Sequence, residues 1–122
     1  MKRSVVLIFS EDPLAAALIG AGVELVGFGP AFPTNGESPR DALLRLRPGL
    51  VLADCDHEAA CAPSFVGPAL MTGARVVLVG SRRSRREASG LADRFGIRAV
   101  MLPSDLELIA ELLRTELEAA GR

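Results

Sequence analysis

Apolar positions along this chain come in two alternating textures. One is a short run of four to six residues, rich in Val, Leu and Ile, with polar or glycine residues at both ends. The other is a longer stretch in which apolar positions recur three and four apart. The first reads as a buried strand and the second as an amphipathic helix. Val5–Phe9 is the first strand. Asp12 is a natural N-cap and Pro13 a natural first helical residue, so a helix is predicted over Pro13–Ala21, ended by Gly20 and Gly22. Val23–Phe28 reads as the second strand. Gly29–Ser38, with its prolines and Asn35-Gly36, reads as a long loop that is mobile or covers something. Ser38-Pro39 opens a helix through Arg47, stopped by Pro48-Gly49. Leu50–Ala53 is the third strand, Ala62–Met71 a proline-interrupted helix, and Arg75–Val79 the fourth strand. Ser84–Phe95 is helical and closed by Gly96, with Gly90 inside it costing about 1 kcal/mol relative to Ala. Ile97–Leu102 is the fifth strand. Ser104 or Asp105 caps a last helix to about Ala119, with Leu106, Ile109, Leu113 and Leu117 on one stripe.

Five strands alternating with five helices predict a doubly wound α/β domain, with parallel strands, right-handed crossovers and helices on both faces. A length of 122 residues suits one domain spanning 1–122. Only 4% of residues are aromatic, so the core is built from aliphatic side chains. In such sheets ligands bind outside the carboxyl ends of the strands. Those ends carry Ser10-Glu11-Asp12, Asp54-Cys55-Asp56-His57-Glu58, Gly80-Ser81 and Leu102-Pro103. No G-x-G-x-x-G follows the first strand and no P-loop is present, which argues against a dinucleotide or Walker-type site.

Charge narrows the partners. The net charge of −1 argues against a general nucleic-acid binder. The opening MKRSVVLIFSEDP is basic and then apolar, but its apolar run is too short for a signal peptide or a membrane span, so a soluble cytoplasmic protein is expected. Cys55 and Cys61 have no second pair to make a zinc spacing and are read as reduced thiols. A redox role for Cys55 finds no support in sequence, because nothing basic lies beside it to favour the thiolate. His57 is the chain's one histidine, a weak basis for a metal site. Arg82, Arg83, Arg85 and Arg86 crowd the start of the fourth helix, whose amino end is already positive. They are either a solvated face or a surface awaiting an anion, for instance a partner's acidic groups.

The stretches VVLIFSEDPLAAALI, LRPGLVLADCD and FGIRAVMLPSDLELIAELL resemble three segments of response-regulator receiver domains. These are the strand running into an acid pair, the strand ending in the phosphorylated aspartate, and the last strand with its Lys-Pro step and closing helix. The resemblance runs over essentially the whole chain. It implies a flavodoxin-like three-layer sandwich with strand order 2-1-3-4-5. It also implies that Asp54 is the phosphoacceptor position and that Glu11, Asp12, Asp54 and Asp56 are the candidate ligands for Mg²⁺, a weak site or none. Asp56 would contribute its backbone carbonyl. The remaining positions depart from the family. Ser10 replaces the first acid, unless Asp12 moves in from the helix cap. Gly80 replaces the hydroxyl residue, for which Ser81 is a substitute if the strand ends one residue later. Ala99 replaces the reporting aromatic. Leu102 replaces the lysine before Pro103, and Arg75 and Arg98 sit at the wrong ends of their strands to stand in.

Phosphoryl transfer relies on positioning and charge neutralisation, so these losses matter. Losing one preorganised donor costs about 10²–10³ in rate, and losing two costs roughly 10⁴ with strong non-additivity. The expected function is therefore that of a pseudo-receiver. It would be a non-enzymatic module that acts by contact with a signalling partner or a histidine-kinase-type protein, or by homodimerisation through the fourth helix, fifth strand and fifth helix. The alternatives are a phosphorylatable receiver using Asp54, and a small-ligand or nucleotide-binding flavodoxin-like domain using Arg82–Arg86 and the 29–38 loop.

Overall fold

A computed structural model describes residues 5–57, 59–101 and 114–115. Its elements follow one another as β1 (Val5–Phe9), α1 (Pro13–Leu25), β2 (Gly29–Ala31), α2 (Pro39–Leu46), β3 (Leu50–Asp54), α3 (Pro63–Met71), β4 (Arg75–Gly80), α4 (Arg85–Phe95) and β5 (Arg98–Met101). The five strands form one parallel sheet in the order β2-β1-β3-β4-β5. Among the described residues there are four helices. The expected fifth, with its cap at Ser104 or Asp105 and its stripe from Leu106 to Leu117, lies outside them except for Arg114 and Thr115, which are helical.

Strand pleat sorts the core into two layers, because successive side chains point to opposite faces. Leu7, Phe9, Val51, Ala53, Val76 and Leu78 face one side, where Ala42 and Leu43 of α2, Phe65, Val66 and Ala69 of α3, and Ala88 and Leu91 of α4 cover them. Val6, Ile8, Leu50, Leu52, Val77 and Val79 face the other side, where Ile19 and Val23 of α1 pack.

Two expected boundaries differ. Helix α1 does not stop at Gly20 but runs to Leu25, and Val23–Phe28 is not a strand. Each glycine costs the helix about 1 kcal/mol against Ala. Burying Ile19 and Val23 outweighs this, at about 1.5–3 kcal/mol for each large apolar side chain. Gly20 is also where α1 meets β2: a Cβ there would lie 3.4 Å from the Phe32 ring and 3.7 Å from Pro30. The second strand accordingly falls in the expected loop, at Gly29–Ala31. The rest of that loop is pinned rather than loose. Glu37 accepts hydrogen bonds from Thr34 N at 2.9 Å and from Arg45 Nε and Nη2 at 2.7 and 2.8 Å. These bonds lower the Glu37 carboxyl to about 2, with the Arg45 bond as the largest cause and the Thr34 backbone next.

Helix starts follow the sequence. Asp12 caps α1 by accepting from Leu14 N at 3.0 Å, and Ser38 caps α2 by accepting from Asp41 N at 3.1 Å. Helix α3 starts at Ala62 without a side-chain cap.

Candidate functional site

The carboxyl ends of β1, β3, β4 and β5 lie side by side. Phe9 pairs with Ala53, Asp54 with Val79, and Gly80 with Met101. Asp54 is therefore the last residue of the central strand, and its side chain is 8% exposed. A buried carboxylate needs compensating donors, and three protein groups supply them here. Ser10 Oγ and Glu11 N each lie 3.3 Å from Oδ2, and Asp56 N donates to Oδ1 at 2.9 Å. Ser10, where the family has an acid, thus offers a proton to the carboxylate. Its hydroxyl also lies 3.2 Å from Asp12 O, so one proton serves both acceptors.

The other acids do not converge on Asp54. Asp12 uses Oδ1 to cap α1. Glu11 is exposed and contacts Asp54 through its backbone nitrogen. Asp56 turns towards β4, where Oδ1 accepts from Ser81 Oγ at 3.0 Å and Oδ2 lies 3.6 Å from Arg83 Nη2. Among the described residues no group of three or more His, Cys, Asp or Glu side chains is arranged to hold a metal ion. The His57 ring packs edge-on to Phe9 with centroids 5.7 Å apart, and its buried Nδ1 makes no hydrogen bond.

Gly80 is built into its place. A Cβ there would come within 2.9 Å of Met101 Sδ and 3.1 Å of Ala88 Cβ. The volume that a hydroxyl residue would occupy is thus taken by its β5 neighbour and by α4. Ser81 follows the strand, and its hydroxyl is engaged with Asp56 rather than Asp54. Ala99 lies in β5, half-buried. Arg75 and Arg98 are the first residues of β4 and β5, at the end of the sheet away from Asp54. Leu102 and Pro103 lie outside the described residues.

At α4, Ser84 is the N-cap residue but gives the helix no side-chain bond, because its buried Oγ accepts from Ser81 N at 3.0 Å. Arg82, Arg83, Arg85 and Arg86 surround that uncapped end and are all exposed. Among the described residues, Arg83 alone of the four reaches an acid, Asp56. The 29–38 loop is two strands away, since β1 and β3 separate β2 from β4.

One expectation is overturned here. Cys55 and Cys61 are joined in a disulfide, with Cα atoms 4.6 Å apart, and are not free thiols. The spacing alone does not disclose it. Two consecutive turns, His57 N to Asp54 O at 2.9 Å and Cys61 N to His57 O at 3.0 Å, fold the loop back on itself. Met101 is the other residue missed, because only the β4–β5 register sets it over Gly80.

No protein-family model matches the chain, and no curated protein matches it in sequence. Solved structures do match. The REC domain of AraT, a response regulator from Geobacillus stearothermophilus, has a TM-score of 0.74 at 12% identity, covering 96% of this chain and 95% of its own. The CheY-like response regulator receiver domain protein from Methanospirillum hungatei has 0.72 at 16% identity, over 96% and 95%. The receiver domain of a signal transduction histidine kinase from Syntrophus aciditrophicus has 0.69 at 19% identity, over 97% and 92%. Sheet order, strand-end positions and these full-length superpositions agree: the chain has the fold of response-regulator receiver domains.

Proposed function

We propose that this chain is a two-component receiver module of the degenerate kind, acting through protein contact rather than through Mg²⁺-dependent phosphorylation of Asp54. The observation that carries the reading is Gly80 itself: the end of β4 carries no hydroxyl, and Met101 Sδ and Ala88 Cβ lie 2.9 and 3.1 Å from where a Cβ would stand. A phosphoryl group on Asp54 would also have to displace donors that already satisfy both carboxylate oxygens. In the receiver family the added charge is read out by a hydroxyl and a lysine; Gly80 and Leu102 offer neither. The exposed arginines at the start of α4 supply a contact surface for an acidic partner, and the α4–β5 face is the proposed homodimer surface.

Incubation with acetyl phosphate and Mg²⁺, followed by intact mass spectrometry of the wild type and Asp54→Ala, tests this. We expect no adduct that depends on Asp54. A phosphoryl adduct on the wild type that Asp54→Ala abolishes would overturn the reading in favour of a working receiver.

A further inference from the structure

We infer that Cys55 and Cys61 form a reversible dithiol–disulfide site, taking low-molecular-weight thiols and disulfides as co-reactants. The state of this site sets the order of the loop that holds Asp56 against Asp54. The inference stands apart from the reading above, since neither its chemistry nor its readout depends on phosphorylation.

The bond is placed for local control. It joins residues six apart in one loop and ties no two distant elements together. Cys55 and Cys61 join the core layer that α2, α3 and α4 cover, while the strands and helices supply the rest of both layers. What it closes is the loop leaving β3, at the candidate site. There Asp56 N donates to Asp54 Oδ1, while Ala60 N and Cys61 N both donate to His57 O at 3.0 Å. Turns in surface loops open at lower free energy than the core, so the bond acts first on this segment.

The two sulfurs differ in a way that suits exchange. Cys55 lines an open cleft with Glu11, Asp56, His57 and Arg83. Cys61 is half-buried and lies one residue before Ala62, where α3 begins without a side-chain cap. Cys55 itself is only 6% exposed, so Cys61 Sγ is the sulfur that an incoming thiolate reaches. A thiolate RS⁻ attacks Cys61 Sγ, the S–S bond breaks, and Cys55 departs as thiolate. A second RS⁻ then attacks the outer sulfur of the mixed disulfide, releasing RSSR and the Cys61 thiolate. Two electrons pass from the two RS⁻ to the protein pair. Oxidation by RSSR runs the same steps backwards.

The test uses the full chain in buffers of reduced and oxidised glutathione at graded ratios. Samples are quenched in acid, alkylated with a maleimide and weighed intact. Hydrogen exchange of the 55–61 segment is followed in parallel. We expect one transition between no alkylation and two, with exchange in 55–61 faster by about tenfold or more in the reduced form, while β3 and β4 amides stay unchanged. Cys61→Ser should carry one maleimide label or one glutathione adduct at every ratio, and exchange like reduced wild type. Because Cys55 is buried, the reduced wild type, rather than a Cys55 variant, is the second control. Two thiols that label at all ratios, a disulfide that no ratio reduces, or equal exchange in both states would each overturn the inference.

Discussion

Asp54 is held as a structural carboxylate would be held. It is nearly buried, and its oxygens face a hydroxyl and two backbone N–H groups rather than other carboxylates. The sign of its contribution to stability follows. A carboxylate crowded by acids raises the energy of the folded state, and removing it stabilises. A carboxylate that accepts from part-buried donors does the opposite, because truncation removes charge-assisted hydrogen bonds, at about 1–3 kcal/mol. Asp54→Ala is therefore expected to lower the unfolding free energy by about 1–3 kcal/mol in urea denaturation. A variant more stable than the wild type would show that the site is held under charge strain. Gly80 and Met101 belong to the same scale. Sequence shows that position 80 lacks a hydroxyl. Only the structure shows that the space is filled, so that restoring a side chain there would mean moving Met101 and Ala88.

At the scale of elements, the loop joining β2 to α2 is organised by one carboxylate. Glu37 holds Thr34 and Arg45 together and titrates at about 2 instead of the ordinary 4.5. A lowered folded-state value means the contribution is fully present above 4.5 and is lost as pH falls through 2. The Arg45 side chain is 44% exposed, so solvent screening keeps the effect of the pair local. We expect the Glu37 carboxyl, followed by carbon-13 NMR, to titrate with a midpoint near 2. Thr34 N–H protection should be retained at pH 3.5 and be lost in Glu37→Gln; a midpoint near 4.5 would remove the organising role. This loop also marks the limit of what periodicity reveals. Strands β1, β3, β4 and β5 and helix α4 fall within a residue or two of their expected bounds, because each is a clean apolar run or a capped amphipathic stretch. The α1–β2 boundary does not. Val23–Phe28 is rich in strand-forming residues, and only the sheet beneath Ile19 and Val23 makes it the end of a helix. The same contrast holds for the site. Asp54, Ser10, Glu11 and Gly80 are legible as strand-end positions. Contacts such as Ser81 with Asp56 join residues 25 apart and depend on loop shapes that no period encodes.

At the scale of the whole molecule, the question is how far a change at the Cys55–Cys61 bond can spread. A disulfide stabilises mainly by shortening the loops open to the unfolded chain, and the gain grows with the residues enclosed. With a sequence separation of only six the enclosed loop is small, and the expected gain is about 2 kcal/mol. Domains of this size are typically stable by about 5–15 kcal/mol. Reduction should therefore leave the fold standing. Both sheet faces keep their aliphatic packing, and the strand order does not pass through the bond. The reduced protein is expected to keep its far-ultraviolet dichroism and a single cooperative melt, with Tm lower by roughly 5–15 °C. Loss of the cooperative melt on reduction would make the bond a staple for the whole domain. A melt that survives confines the change to the loop leaving β3 and to Arg83, which pairs with Asp56 of that loop, and leaves Arg82, Arg85 and Arg86 at the start of α4 in place.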